Sequence, residues 1–153
     1  MSAAVLCIGT ELTRGELVNT NAPWLSEALT DGGIEVTAIE TVPDDRAIII
    51  ETLRRLSAGH LAIVCTGGLG PTTDDITSEC VADLLGVPLE RDHASLDTIR
   101  SQMERFGRVM ATSNAKQADF PRGAAVLANA KGTAPGFSVA LGHAQAFFMP
   151  GVP

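Results

Sequence analysis

Residues 60–75 read HLAIVCTGGLGPTTDD, an apolar run that passes directly into glycines, hydroxyls and two adjacent carboxylates. The run 60–66 is typical of a strand that is buried on both faces. Gly67, Gly68 and Gly70 suit a tight turn, and the helical spacing of SECVADLLG (78–86) follows it. A buried strand, a tight turn and a helix in succession are typical of a parallel sheet flanked by helices. The stretch therefore predicts an α/β fold.

The same alternation of strands and helices occurs along the rest of the chain. Strands are predicted at 3–9, which is uniformly apolar, and at 34–42, where apolar and polar residues alternate. Helices are predicted at 19–33, 44–59, 78–86 and 94–107. In the last third, AAVLANA, GFSVALG and QAFFMPG predict short strands around tight turns. Short connections between parallel strands imply right-handed crossovers, so we expect residues 1–153 to form one domain.

The composition limits the classes of partner. Of the 153 residues, 45% are hydrophobic and 19% are charged, so the chain can fill a core. It carries 11 Lys and Arg against 18 Asp and Glu, and the net charge of −7 disfavours nucleic acids and anionic membranes. Five Phe, one Trp and no Tyr do not suggest a base-stacking platform. No apolar run approaches the roughly 20 residues that a membrane span needs.

The N-terminal segment and the cysteines predict a cytoplasmic protein. MSAAVLCIG has no basic residue before its apolar run, so it predicts a first strand rather than a signal peptide. Cys7, Cys65 and Cys80 form no CxxC motif and are odd in number. Two of them lie in apolar, strand-like runs. We therefore expect buried free thiols in a reducing compartment.

The polar loops of this fold should meet at one edge of the sheet. Loops that leave parallel strands emerge at the carboxyl edge, where open α/β folds bind their ligands. The loops of this kind are GTELTRG (9–15), VPDD (42–45) and GGLGPTTDD (67–75). If the last two strands form a hairpin with one strand antiparallel, GTAPG (132–136) and PG (150–151) reach the same edge. The topology therefore predicts a single site built from distant segments.

The glycine-rich turn suits a bound anion. Unpaired backbone N–H groups at the start of a helix attract phosphate, so an acidic protein can hold one without a basic patch. The turn matches neither the GxGxxG dinucleotide motif nor the GxxxxGK[ST] phosphate loop. The glycines would equally serve a tight turn with no ligand. The sequence leaves both interpretations open.

The carboxylates near this turn also have two interpretations. We expect Asp74 or Asp75 to cap the following helix, and Glu11 and Asp44 to reach the same pocket from neighbouring loops. Carboxylates beside a phosphate repel it unless a divalent cation lies between them, as Mg²⁺ does. Metal-assisted phosphate chemistry and helix capping with solvated acids both remain open. Lys116 is the candidate cation, or an ordinary solvated lysine.

Several motifs together resemble one known family. They are GTEL (9–12), VNTN (18–21), TGGLGPTTDD (66–75), KQA (116–118), GTAPG (132–136) and PGVP (150–153). In this order they resemble the N-terminal domain of CinA-type proteins, which belongs to the molybdopterin-binding superfamily of the MoaB and MogA enzymes. The resemblance implies a three-layer α/β/α fold with a mixed, mainly parallel sheet of about five strands. It also implies a cleft between the loops named above.

The resemblance further implies an activity and site residues. CinA-type domains are associated with hydrolysis of ADP-ribose to AMP and ribose 5-phosphate, using a divalent metal (Mg²⁺, Mn²⁺ or Co²⁺) and potassium. On this basis the expected catalytic residues are Asp75, Glu11 and Lys116, and the expected metal ligands are Asp75, Asp74 and Asp44. Residues expected to bind the substrate are Gly9, Thr10, Asn19, Asn21, Gly67, Gly68, Gly70, Thr72, Gly132, Thr133 and Gly136.

Two other functions remain open. In MogA-like relatives, the aspartate that matches Asp75 assists adenylyl transfer to molybdopterin, so a molybdopterin-binding or adenylylating protein is one alternative. A non-catalytic nucleotide-binding module is the other. In each case the ligand is a small phosphate-bearing molecule, either a nucleotide or a pterin. The resemblance also implies a homo-oligomer.

Overall fold

The computed structural model describes residues 2–152 and contains the predicted strand–helix units. The strands are β1 (Ser2–Ile8), β2 (Glu35–Val42), β3 (Ala62–Thr66), β4 (Leu89–Arg91), β5 (Asp119–Pro121), β6 (Ala125–Leu127), β7 (Gly136–Leu141) and β8 (Ala144–Met149). The helices are α1 (Thr10–Thr13), α2 (Asn21–Asp31), α3 (Arg46–Gly59), α4 (Thr77–Leu85) and α5 (His93–Arg105), with a 3₁₀ helix at Thr112–Ala118.

The main sheet is mixed and mainly parallel, as predicted. Its six strands have the order β2-β1-β3-β8-β7-β6. Strands β2, β1, β3 and β8 are parallel, whereas β7 runs antiparallel to both β8 and β6. The hairpin β7–β8 therefore has the arrangement that brings GTAPG and PG to the carboxyl edge. The sheet has one strand more than the expected five.

Alternating side chains of β1 pack against the helices on both faces of the sheet. Val5 and Cys7 pack against α2 through Leu25. The alternate residues of β1 belong to the larger core with α3 and α4: Ala4, Leu6, Ile8, Ile49, Leu53, Cys80 and Val81. All three residues of β1 in that core are at most 2% exposed. The period of two along a doubly buried strand thus produces the expected α/β/α layers.

A two-stranded sheet, β4–β5, lies beside the main layers with α5. The Arg91 guanidinium donates to both oxygens of Asp119 across these strands, at 2.7 and 2.8 Å. Asp92 caps α5 by accepting a hydrogen bond from the Ser95 amide at 2.8 Å. The sequence analysis did not predict α1, β4, β5 or the 3₁₀ helix. Elements this short do not show a clear periodicity.

The cysteines are free and buried, as predicted. Burial raises the pKa of the Cys65 thiol far above its usual value, and burial raises the pKa of the Cys80 thiol to about 11. Both thiols are therefore protonated at neutral pH and poorly nucleophilic. Among residues 2–152, no helix is both long enough and apolar enough to span a bilayer.

Candidate functional site

The loops at the carboxyl edge line one open cleft of about 1380 Å³. The topology predicted this convergence, because the loops after β1, β2, β3 and β8 and the segment before β7 all emerge there. The predicted site residues that line the cleft are Gly9, Thr10, Glu11, Asn19, Asn21, Asp44, Gly67, Gly68, Gly70, Thr72, Asp74, Asp75, Gly132, Thr133 and Gly136. Lys116 is the predicted site residue that does not line it.

Gly67 fixes the start of the glycine-rich turn against the sheet. Its amide donates to the Met149 carbonyl at 3.0 Å, and its φ is 102°. A Cβ at this position would overlap the carbonyl oxygen of Ile8 at the end of β1. Glycine is therefore required both by the backbone conformation and by the close approach of two strands. The Gly67 amide is not available to a ligand.

The amides that remain available belong to the next three residues. Gly68, Leu69 and Gly70 donate their N–H groups to no acceptor within the described segment 2–152. The φ of Gly68 is 69°, and a Cβ there would overlap the Thr77 hydroxyl. Three consecutive amides that are unpaired within residues 2–152 therefore face the cleft, an arrangement that suits a bound anion.

Thr77 fixes this turn through two hydrogen bonds to its carbonyl groups. It is fully buried, its Oγ1 donates to the Gly67 carbonyl at 3.0 Å, and its amide donates to the Gly68 carbonyl at 3.2 Å. Helix α4 begins at Thr77, and the residue before it, Ile76, provides no side-chain cap. The prediction that Asp74 or Asp75 caps this helix is therefore wrong. The helix starts later than either carboxylate can reach in capping geometry.

Asp75 instead closes the turn that precedes the helix. Its Oδ2 accepts hydrogen bonds from the Thr72 amide at 2.9 Å and from Thr72 Oγ1 at 2.6 Å. A Cβ on Gly70 would lie 2.6 Å from the same oxygen, so the carboxylate packs flat against this glycine. Asp75 Oδ1 has no donor among residues 2–152. Asp74 is exposed at the rim of the cleft.

Asp44 joins two of the loops. Its Oδ2 accepts from the Thr10 amide at 2.8 Å and from Thr10 Oγ1 at 3.0 Å, while its own amide donates to Thr10 Oγ1 at 3.1 Å. The Glu11 carboxylate folds back over Gly9, where a Cβ would lie 2.5 Å from Glu11 Oε1. The carboxylates reach the cleft from separate loops. Within residues 2–152 they do not assemble into a group of three that could hold a metal unaided.

Lys116 lies behind the Thr72–Asp75 turn rather than in the cleft. Its Nζ donates to the carbonyl oxygens of Thr72 and Asp75, both at 2.7 Å, and lies 4.0 Å from Glu79 Oε1. It lines a separate cavity of about 60 Å³ on this side of the loop. Lys116 therefore contacts the same turn as Asp75, through backbone carbonyls rather than through the Asp75 carboxylate. Both of its hydrogen bonds are to the backbone of this loop.

Both of the predicted ligand-binding asparagines, Asn19 and Asn21, anchor the start of α2. Asn19 Oδ1 accepts from the Ala22 amide at 3.1 Å, and its Nδ2 donates to Thr41 Oγ1 at 3.2 Å. Asn21 Nδ2 donates to the Gly151 carbonyl at 2.8 Å. Both side chains line the cleft, yet their polar atoms hold protein segments together.

Asn129 organises the segment before β7, and the sequence analysis missed it. Its Oδ1 accepts from the amides of Lys131 and Gly132 at 3.0 and 3.1 Å, and its Nδ2 donates to the Ala134 carbonyl at 2.9 Å. An asparagine that bonds the backbone two and three residues ahead makes an Asx turn. The spacing N-x-x-G in 129–132 is the signal that could have identified it.

This geometry defines an α/β domain with a glycine-rich turn at its cleft, and the chain matches the family model described as a probable molybdopterin binding domain over residues 4–153. The chain belongs to that family. Within it, the chain is 35% identical to the protein CinA from Thermoplasma acidophilum, whose crystal structure superposes with a TM-score of 0.89. The match covers 99% of this chain and 89% of that one. The CinA-type resemblance found in the sequence is thereby confirmed.

Two other relatives show the extent of the similarity. A CinA-like protein of Anaeromyxobacter sp. (strain K) is 46% identical over 153 residues, which are all of this chain and 38% of that protein. The chain thus spans about 38% of the length of this curated relative. The molybdopterin biosynthesis enzyme MoaB of Thermus thermophilus has a TM-score of 0.63 at 21% identity, over 99% of this chain and 82% of that one. That likeness shows the fold alone.

Proposed function

We propose that the cleft binds a nucleotide diphosphate such as ADP-ribose and hydrolyses it to AMP and ribose 5-phosphate with a divalent cation. The observation that carries this proposal is that one cleft contains three consecutive amides (Gly68–Gly70), unpaired in the part of the chain that the structure describes, and the carboxylates of Asp44 and Asp75. The amides suit a phosphate, and the carboxylates suit a cation that neutralises it.

The groups that we propose for phosphate binding are held in place by other parts of the protein. Thr77 holds the Gly67 and Gly68 carbonyls, so the following N–H groups are fixed before a ligand binds. Hydrogen bonds to a charged oxygen contribute roughly 1.5–3 kcal/mol each. A preformed set of donors loses little entropy on binding, which supports phosphate affinity in a chain of net charge −7.

The acidic residues could hold a divalent cation only if a bound phosphate supplied some of its oxygen ligands. Asp44 and Asp75 each use Oδ2 for protein hydrogen bonds, and each Oδ1 has no protein donor within the described part of the chain. Mg²⁺ bound beside phosphates needs only one or two carboxylates, with water and phosphate oxygens as the other ligands. Asp74, at the rim, is a third candidate. Such a cation would neutralise charge on the phosphates and lower the pKa of bound water.

The protein residues have distinct tasks in the proposed reaction. A water oxygen bonds to one phosphorus, the bridging oxygen leaves with the other phosphate, and the two protons of the water are shared between products and solvent. Glu11 lies at the cleft and is the candidate to accept the first proton. Thr72 orients the Asp75 carboxylate through two hydrogen bonds. Lys116 acts on the reaction through the loop that carries Asp75.

The test is release of AMP from ADP-ribose with Mg²⁺, Mn²⁺ or Co²⁺, with and without potassium. Asp75→Asn keeps the acceptor for Thr72 but removes the charge, so we expect at least a roughly tenfold loss of rate. Asp31→Asn, at the exposed end of α2, is the matched control and should leave the rate unchanged. Equal rates for the wild type and Asp75→Asn would contradict the assignment of this residue. Binding of ADP-ribose without turnover would identify a non-catalytic nucleotide-binding module.

A second candidate is favoured by the description of the family. The matching model is a probable molybdopterin binding domain, and MoaB shares the fold. In this case the Gly68–Gly70 amides would hold the phosphate of a pterin, and ATP would be the co-substrate for adenylylation. Molybdopterin binding at micromolar concentration, with ATP-dependent adenylylation and no release of AMP from ADP-ribose, would favour this candidate over the first.

We also propose that the chain forms a homo-oligomer. Trp24 on α2 is 66% exposed and Ile39 on the edge strand β2 is 53% exposed, and both offer apolar surface to a second copy. Light scattering on the purified chain at several concentrations would test this. A monomer mass at every concentration would contradict it.

A further inference from the structure

Two exposed aliphatic side chains line the cleft. Leu17 is 57% exposed and Val18 is 80% exposed, and both belong to the connection between α1 and α2. Ligand clefts are lined mainly by apolar side chains, and two adjacent aliphatic side chains offer such a contact surface here. The mechanism proposed above uses neither residue.

The backbone around these side chains is held in place. The Leu17 amide donates to the Glu11 carbonyl at 3.2 Å. The next residue after Val18, Asn19, bonds both the Ala22 amide and the Thr41 hydroxyl. The two side chains are therefore presented by an anchored segment on one wall of the cleft. An anchored apolar surface suits a ligand contact because little order must be gained on binding.

This wall is connected to the glycine-rich turn, Gly67–Gly70, through Gly151. Asn21 Nδ2, three residues after Val18, donates to the Gly151 carbonyl at 2.8 Å. Gly151 in turn packs on the turn, since a Cβ added to it would lie 3.0 Å from the Gly67 Cα. Asn21 and Gly67 therefore both contact Gly151, and Leu17, Val18 and the Gly68–Gly70 turn line the same cleft. A ligand that fills this cleft and combines a phosphate with an apolar planar ring would contact both the turn and the apolar wall.

We infer that Leu17 and Val18 form the base subsite of this cleft, where the purine ring of a 5′-nucleotide packs while its phosphate binds the Gly68–Gly70 amides. The inference rests on the proposed function, because it places the ring relative to the phosphate turn. No Phe or Trp lines the cleft within residues 2–152, so the ring contact is aliphatic. The surface recognises the ring by area and shape, with no hydrogen-bond donor offered by either side chain.

The test compares two ligands that differ only in the base. Binding of AMP and of ribose 5-phosphate to the chain is measured by calorimetry in the presence of Mg²⁺. We expect AMP to bind about tenfold more tightly than ribose 5-phosphate, since the base adds apolar contact area. Leu17→Ser with Val18→Ser should weaken AMP binding about tenfold and leave ribose 5-phosphate unchanged. Val18→Ser alone serves as a milder second variant.

The matched control is Val109→Ser, because Val109 is 92% exposed and does not line the cleft. It should bind both ligands as the wild type does. Equal affinities of the wild type for AMP and ribose 5-phosphate would overturn the base subsite and leave the phosphate site standing. An unchanged AMP affinity in both variants would also overturn it. Failure of the wild type to bind either ligand would overturn the proposed function together with this inference.

Discussion

The ammonium of Lys116 lies 2.7 Å from the carbonyl oxygens of both Thr72 and Asp75, and it thereby ties together the two ends of the turn that carries the acidic residues. The same two residues are joined a second time, because the Asp75 carboxylate accepts from the Thr72 amide and hydroxyl. The Lys116 ammonium thus binds the carbonyl groups at both ends of the turn, and the Asp75 carboxylate binds the amide and hydroxyl of Thr72. Its shape depends on a lysine that lies 44 positions after Thr72 and 41 positions after Asp75 in the chain.

Replacing Lys116 should loosen this turn more than it destabilises the fold. Lys116→Met removes two charged hydrogen bonds, but the carbonyls are partly accessible to water, so we expect a loss of about 1 kcal/mol in the free energy of unfolding. Hydrogen exchange of the Thr72 amide should become faster by roughly fivefold. Lys131→Met, at an exposed lysine, is the control. An unchanged exchange rate at Thr72 would contradict the role given to Lys116.

Gly67→Ala should destabilise the protein strongly. The new Cβ would overlap the Ile8 carbonyl, and the backbone has a φ of 102°. We expect a loss of at least about 3 kcal/mol in the free energy of unfolding, measured by urea denaturation. Gly59→Ala is the matched control, because a Cβ there meets nothing within 4 Å. It should be neutral or stabilising by about 0.5 kcal/mol. Similar stabilities for the two variants would refute the close approach of β1 and the glycine-rich turn.

Thr72→Val should affect the site more than the stability. The change keeps the side-chain shape and the backbone bond at 2.9 Å, but it removes the 2.6 Å hydroxyl bond to Asp75. We expect a loss of about 1 kcal/mol in stability and a roughly three- to tenfold slower release of AMP from ADP-ribose. Thr73→Val, next to it and exposed, should change neither quantity. If Thr73→Val were as slow as Thr72→Val, orientation of Asp75 by Thr72 would be excluded.

The ion pair between Arg55 and Glu40 predicts a pH dependence. Arg55 donates to both Glu40 oxygens, at 2.9 and 2.6 Å, and this hydrogen bonding lowers the pKa of the Glu40 carboxyl below its usual 4.5. A carboxyl with a lowered pKa in the folded state stabilises the protein above pH 4.5, and this contribution disappears as the pH falls through the lowered pKa. The Tm of Arg55→Met should therefore lie below that of the wild type at neutral pH and approach it in acid.

The control for the pH experiment is Arg54→Met, which removes an exposed arginine paired to Glu51 on the same helix. Thermal unfolding of all three proteins between about pH 7 and pH 3 provides the comparison. The same Tm difference between wild type and Arg55→Met at both ends of this range would show that charge on Glu40 is not its source.

The long elements of the fold could be predicted from the sequence. Apart from Ser2 and Thr66 at their ends, the strands β1 and β3 are apolar because the sheet buries them on both faces, and the helix α3 shows its buried residues at helical spacing. The convergence of the loops after β1, β2 and β3 followed from parallel strand order, and that of GTAPG and PG followed from the assumed hairpin of the last two strands. Short elements such as β4 and β5, with three residues each, depend on pairing between segments that are about 30 residues apart. Local sequence carries little information about such pairing.

The roles of individual site residues were harder to predict. The sequence placed Asp75 in the cleft, but it could not show whether the carboxylate accepts from a helix amide or from the Thr72 amide in the turn before it. It suggested Lys116 as a charge near the ligand, whereas the ammonium binds backbone carbonyls. The bond between Asp75 and Thr72 spans three residues, whereas the contact of Lys116 depends on the position of the loop relative to the 3₁₀ helix. That position is a tertiary property with no local signature.

The reciprocal hydrogen bonds between Thr10 and Asp44 have a consequence for sequence variation among related chains. Each residue satisfies the other through the Asp44 carboxylate, the Thr10 hydroxyl and both backbone amides. A change at one position alone leaves a polar group of the other facing the cleft without its partner. Among related chains, substitutions at positions 10 and 44 should occur together, and chimaeras that mix them from different relatives should be less stable than either parent.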